Sequence, residues 1–69
     1  MGMNNSEILF KISSYLKDNG IKYKFVAERI GMNPVMFSDL MNGKRKLSLD
    51  AYIRICGVLK LSLDFFVEK

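Results

Sequence analysis

Apolar positions in this chain recur every three or four residues, with polar residues filling the gaps. Ile8, Ile12, Tyr15 and Leu16 form the first such stripe and predict a helix over about residues 5–18. Ahead of it, Asn4-Asn5-Ser6-Glu7 has the form of a capping box, with Asn4 as the cap and Glu7 reaching back. Asn19-Gly20 ends that helix, and Ile21 is expected to anchor the linker in the core. Val26, Ala27 and Ile30 predict a second helix over about 23–30, with a weak start because Lys22 is a poor cap. Phe37, Leu40 and Met41 predict a third over about 34–41. A fourth is expected over about 49–59, with Leu49, Tyr52, Ile53, Cys56 and Leu59 facing inward. Ser62 opens a short fifth helix with Asp64 in its first turn and Leu63, Phe66 and Val67 as its apolar positions. No stretch alternates as a strand does, and there are no repeats, linkers or low-complexity segments. The fold class is therefore all-α.

The punctuation between the second and third stripes is the most informative part. Gly31 interrupts the second helix, and Asn33-Pro34 starts the third. Asparagine caps by accepting from an orphan backbone N–H, and proline at the first helical position loses no bond that would otherwise form. The third helix stops at Asn42-Gly43, where glycine takes the left-handed conformation at little steric cost. Two helices joined by so short a glycine-containing turn make a helix-turn-helix, here residues 23–42. Ser48 caps the fourth helix, and Asp50 lies in its first turn, where the helix dipole favours negative charge.

Composition narrows the functional classes. Sixty-nine residues make a single domain, 1–69, and a core this small rarely supplies more than ~3–5 kcal/mol. The 49% hydrophobic content still allows a compact core, extended by a partner subunit. A formal charge of +4 suits a polyanionic partner without requiring one. Histidine is absent and Cys56 is the sole cysteine, so neither a disulfide framework nor a metal cluster is available. Without a clustered carboxylate pair, a glycine-rich phosphate loop or a base for the thiol, an enzyme is excluded, along with a cofactor and a small-molecule substrate. No run approaches the ~18 apolar residues of a membrane span and no signal peptide is recognisable, so a reducing cytoplasm is expected. Met1-Gly2 with Ser6 matches the bare myristoylation pattern; residues 1–4 are instead read as disordered or as a start-site remnant outside the fold.

With the helices placed, the stretch VAERIGMNPVMFSDLMNGKRKLSLDAYIRICGVLKLSLDFF resembles the Cro/C1-type, or XRE, helix-turn-helix family of phage and bacterial repressors. The resemblance rests on Ala27 in the second helix, Gly31 at the turn, Phe37 and Leu40 in the third, and Asn42-Gly43-Lys44 after it. Ser48, the isoleucine-rich fourth helix and Leu61-Ser62-Leu63-Asp64 before a final aromatic complete it, from about Ile8 to Phe66. It implies a compact five-helix, lambda-repressor-like fold with the motif formed by helices two and three. The third helix is then the recognition helix, lying in the major groove of double-stranded DNA. Many members pair an Arg in the first helix with a Glu near the end of the third. The matching positions here are Leu16 and Met41, both apolar, and replacing both partners of such a pair with hydrophobes is neutral or stabilising.

Carried over residue by residue, the resemblance assigns base contacts to Asn33, Val35, Met36, Ser38, Asp39 and Asn42 on a face that also carries Pro34. It assigns phosphate contacts to Lys22, Tyr23 and Lys24 at the second helix and to Lys44, Arg45 and Lys46 in the loop. The face departs from the family's long polar readers. Val35 or Met36 can pack on a thymine methyl, Asp39 can accept from a cytosine amine, and Asn42 or Ser38 can bond a base or a phosphate. Tyr23 stands where the family usually has a Gln packed on the backbone. Leu63, Phe65 and Phe66 are expected at a homodimer interface that also uses the edge of the fourth helix, since such domains read two half-sites about 34 Å apart.

Each assignment has a plainer rival. Cys56 reads as a small buried hydrophobe rather than a redox group. Lys44-Arg45-Lys46 reads either as a solvated loop or as a grip on the strands, and one of Phe65 and Phe66 can simply complete the core. The expected function is a homodimeric transcriptional regulator, a repressor that occupies a two-fold operator. The alternative is a protein–protein interaction module, an antirepressor or adaptor, that keeps the fold without base readout. The apolar, acid-bearing face of Pro34, Val35, Met36 and Asp39 is what supports that alternative.

Overall fold

Where a cap residue precedes an apolar run, the chain turns helical. The computed structural model describes residues 5–67, which form four helices. They are α1 (Asn5–Asp18), α2 (Tyr23–Arg29), α3 (Pro34–Met41) and α4 (Leu49–Leu59). No strand occurs among the described residues. The expected Asn4 cap and the reading of residues 1–4 lie outside the described residues.

Local chemistry explains the boundaries. Ser48 Oγ accepts from Ala51 N at 3.1 Å and opens α4, with Asp50 in the first turn. Lys22 precedes α2 without any side-chain cap bond, as its chemistry requires. Each helix stops by the same device, in which the two backbone N–H groups beyond its end fold back on its last carbonyls. After α3, Gly43 N donates to Leu40 O at 3.1 Å and Lys44 N to Asp39 O at 2.9 Å. Gly43 holds φ +79°, which glycine adopts without a Cβ clash. After α4 the same position falls to Lys60, at φ 58°, an L-residue in left-handed backbone.

The core collects Leu9, Ile12 and Leu16 from α1, Val26 and Ala27 from α2, and Phe37, Leu40 and Met41 from α3. Ile30 at the end of α2, Tyr52, Ile55 and Cys56 of α4, and Phe66 complete it. No polar or charged residue is buried among the described residues, and Leu16 and Met41 both enter this core as hydrophobes. Ile8 and Tyr15 lie at its margin, and Leu9 takes the central place in α1 that the expected stripe did not give it. α2 and α3 pack together, α3 rests on α1, and α4 rests on α2.

Two expectations are corrected. α4 is rotated from the expected stripe: Ala51, Tyr52, Ile55 and Cys56 are buried, whereas Leu49 is 74% exposed and Ile53 44%. The face chosen is the one opposite the exposed Asp50–Arg54 ion pair, whose Nε–Oδ2 distance is 3.0 Å. The expected fifth helix is not formed among the described residues. The Ser62 hydroxyl donates to Asp64 Oδ1 at 2.7 Å, and residues 63–66 make successive turns closed by Phe65 N to Ser62 O and Val67 N to Asp64 O. Helix nucleation is unfavourable over so few residues. Tertiary contacts hold the segment instead: Phe66 is buried, and the Tyr52 hydroxyl donates to the Leu63 carbonyl.

Candidate nucleic-acid interface

The α2–α3 turn is built from three short-range bonds. Gly31, at φ +75°, donates to Glu28 O, and Met32 N donates to Ala27 O at 2.8 Å, which closes α2. Asn33 then takes extended backbone, φ −64° and ψ 136°, and its Oδ1 accepts from Val35 N at 2.8 Å. Pro34 occupies the first helical position. The chain reverses direction within a few residues and starts a new helix with its first donors partly satisfied.

Sequence reasoning did not find the residue that braces this turn from outside. Arg54 on α4 donates from Nη1 to the carbonyl of Ile30 at 3.3 Å, satisfying an acceptor at the end of α2. The acid–base spacing of Asp50 and Arg54 was visible in the sequence, but a backbone acceptor 24 residues away was not.

Because Phe37, Leu40 and Met41 face the core, the opposite face of α3 points away from it. Val35 is 70% exposed on that face; Asn33, Pro34, Met36 and Asn42 are exposed too, and Ser38 and Asp39 are half-buried. Met36 lies to one side, sharing with Asn33 a shallow depression that runs to Ser48 and Arg54. Asn42 Nδ2 approaches Ser38 Oγ at 3.5 Å, a long contact that aligns the two side chains along the helix. The six expected base readers therefore sit in or beside one eight-residue helix.

The expected phosphate contacts are placed as follows. Lys22 and Lys24 are exposed at the start of α2. Tyr23 between them is half-buried, its ring meeting Phe37 edge to face with centroids 5.4 Å apart, so it is anchored to α3. Lys44, Arg45 and Lys46 are all exposed just beyond α3, and half-buried Leu47 ties the loop back to the core.

Of the three residues expected to pair two copies, Phe66 is corrected. It is 3% exposed and belongs to the core, where its ring meets Tyr15 edge to face at 5.8 Å. Phe65 is 51% exposed, with ring contacts to Tyr15 at 5.4 Å and Phe66 at 5.0 Å, and Leu63 is exposed. Leu49 and Ile53, expected to face inward, add exposed apolar surface on α4 instead.

Cys56 is buried, and burial pushes its thiol above the ordinary value, away from the reactive thiolate. Burial first, and then a hydrogen bond with Cys56, push the Tyr52 phenol up to about 12. Among the described residues no group of side chains could hold a metal ion, and no helix is long and apolar enough to cross a membrane.

A family model described as Helix-turn-helix matches residues 12–66, which covers the second half of α1 and everything from there through Phe66. Comparisons with curated proteins and with solved structures give no match. The matched span, the capped turn between α2 and α3 and the outward face of α3 agree: the chain belongs to the Cro/C1-type, XRE, helix-turn-helix family of DNA-binding regulators.

Proposed function

We propose that this chain is a repressor that acts in the cytoplasm as a homodimer on a two-fold operator in double-stranded DNA, with α3 in the major groove. The observation that carries this reading is the outward face of α3, mounted on a buried inner face in a chain of this family. Lys22, Tyr23, Lys24, Lys44, Arg45 and Lys46 set the register on the phosphates, which position the protein without reading sequence. Asn33, Val35, Met36, Ser38, Asp39 and Asn42 choose sequence, and so sparse a set leaves a share of the choice to groove width and bendability. Occupation of a promoter is the whole of the mechanism; no bond is made or broken. Leu63 and Phe65 serve the dimer contact, with the exposed α4 residues Leu49 and Ile53 extending it.

A second reading has a specific observation behind it. Val35 stands largely exposed one turn from the Asp39 carboxylate, and an apolar, acidic face suits a protein groove better than a polyanion. A gel-shift titration on mixed duplexes at two salt concentrations separates the two readings. The regulator gives saturable binding that weakens steeply with salt, because its cationic contacts release counterions. Lys44→Glu with Arg45→Glu abolishes that binding. Absence of binding at low salt favours the interaction module.

A further inference from the structure

We infer that the first turn of α3 is a thymine reader, with Val35 and Met36 covering the 5-methyl group and the Asn33 amide nitrogen donating to O4. This inference rests on the reading of α3 as the groove element.

Asn33 Oδ1 is held as the cap acceptor for Val35 N at 2.8 Å. The cap bond takes one lone pair of that oxygen and neither amide proton, so the side chain keeps its full donor capacity for a base edge. Pro34 has no backbone N–H to offer, and Val35 and Met36 present only apolar atoms outward. The turn thus combines one donor with two exposed hydrophobes, and Asn33 and Met36 border the same depression.

In the major groove, each base edge asks for a different complement. Adenine pairs an acceptor with an amine donor and carries no methyl, so Val35 and Met36 would again lie against polar atoms. Guanine offers two acceptors and no methyl, leaving Val35 and Met36 against a polar edge. Cytosine presents an amine. Thymine alone presents an acceptor beside a methyl group, which is the complement of a donor beside two hydrophobes. The exposure of Val35 then has a use, since covering it with a methyl removes apolar surface from water on both sides.

The test starts from sites selected by the full chain out of a random duplex pool. Each thymine of a selected site is then replaced singly by deoxyuridine, which removes the methyl and keeps O4. At one thymine per half-site the replacement weakens binding by about four-fold, the value of one buried methyl. Val35→Ala, a change at an exposed position, weakens binding to the thymine duplex and costs little more on the uracil duplex, because the partner is already gone. Equal Val35→Ala losses on both duplexes, or tolerance of uracil at every position, overturn the inference while leaving the regulator reading in place. A failure to bind any duplex at low salt overturns both.

Discussion

Phe65 and Phe66 are neighbours in sequence and share the same aromatic cluster, yet the structure gives them opposite fates. Each ring meets Tyr15 and the other edge to face, so the ring-pair contribution, about 0.5–1.5 kcal/mol per pair, is nearly the same for both. What differs is burial, 3% exposed against 51%. Phe66→Ala empties a core site and costs about 3–5 kcal/mol. Phe65→Ala surrenders about half the transfer energy of a phenylalanine, and with its two ring pairs costs about 2–4 kcal/mol but leaves no cavity in the core. A chain of this length has about 3–10 kcal/mol in total, so Phe66→Ala removes the larger share of it and lowers the unfolding midpoint further than Phe65→Ala does. Urea unfolding followed by circular dichroism, at concentrations low enough to keep the chain monomeric, reads both. Phe66→Leu, which keeps most of the volume, supplies a measurable transition if the alanine variant has none. Equal midpoints for the two alanine variants, or a larger loss at Phe65, would refute the placement of Phe66 in the core. The same Phe65→Ala protein, examined at high concentration by sedimentation, reports on the proposed dimer: its dissociation constant rises if Phe65 lies in the contact and stays unchanged if it does not.

Three further outcomes follow from particular residues. Lys60→Gly relieves the left-handed strain at the end of α4, gaining about 1 kcal/mol and raising Tm by about 4–8 °C in a calorimetric scan; an unchanged or lower Tm contradicts it. The Tyr52 phenol, raised from 10.0 to about 12, makes the folded state release its proton later than the unfolded chain. Its contribution is complete below pH 10 and lost as pH rises through 12, so the stability gap between wild type and Tyr52→Phe should narrow across that window and hold steady below it. Asp39→Asn removes a negative charge from the outward face of α3, so it is expected to tighten binding to unselected duplex and blur sequence choice; weaker binding to every duplex would show that Asp39 serves the fold instead.

Much of this was legible in the sequence because short-range chemistry is written in adjacent letters. Asn33-Pro34, Ser48 and the glycines after α1, α2 and α3 announced helix ends, and the bonds they make span only a few residues. The rotation of α4 was not legible from periodicity. Its sequence LDAYIRICGVL contains two overlapping apolar stripes that share Tyr52, Cys56 and Leu59, and a stripe alone does not say which flank turns inward. The Asp50–Arg54 pair was the missed signal, since the face opposite it takes in Tyr52 and Ile55. The C-terminal turns were misread as a helix because Ser62 and Asp64 look like a cap. They bond to each other instead, and Tyr52 and Phe66 hold that segment through contacts that no local pattern encodes. For the interface, the identity of the α3 residues was readable, but the engagement of the Asn33 oxygen and the brace from Arg54 needed coordinates.

The proposed regulator sets the outer face of α3 against a duplex while cations on either side of it hold the strands. Backbone amide shifts of the isotope-labelled chain, followed during titration with a selected duplex, test it most directly. The largest changes are expected on residues 33–42, with a second group at 22–24 and 44–46, and they shrink as salt is raised. Changes confined to exposed Phe10, Leu49, Ile53 and Leu63, with α3 silent, would contradict it.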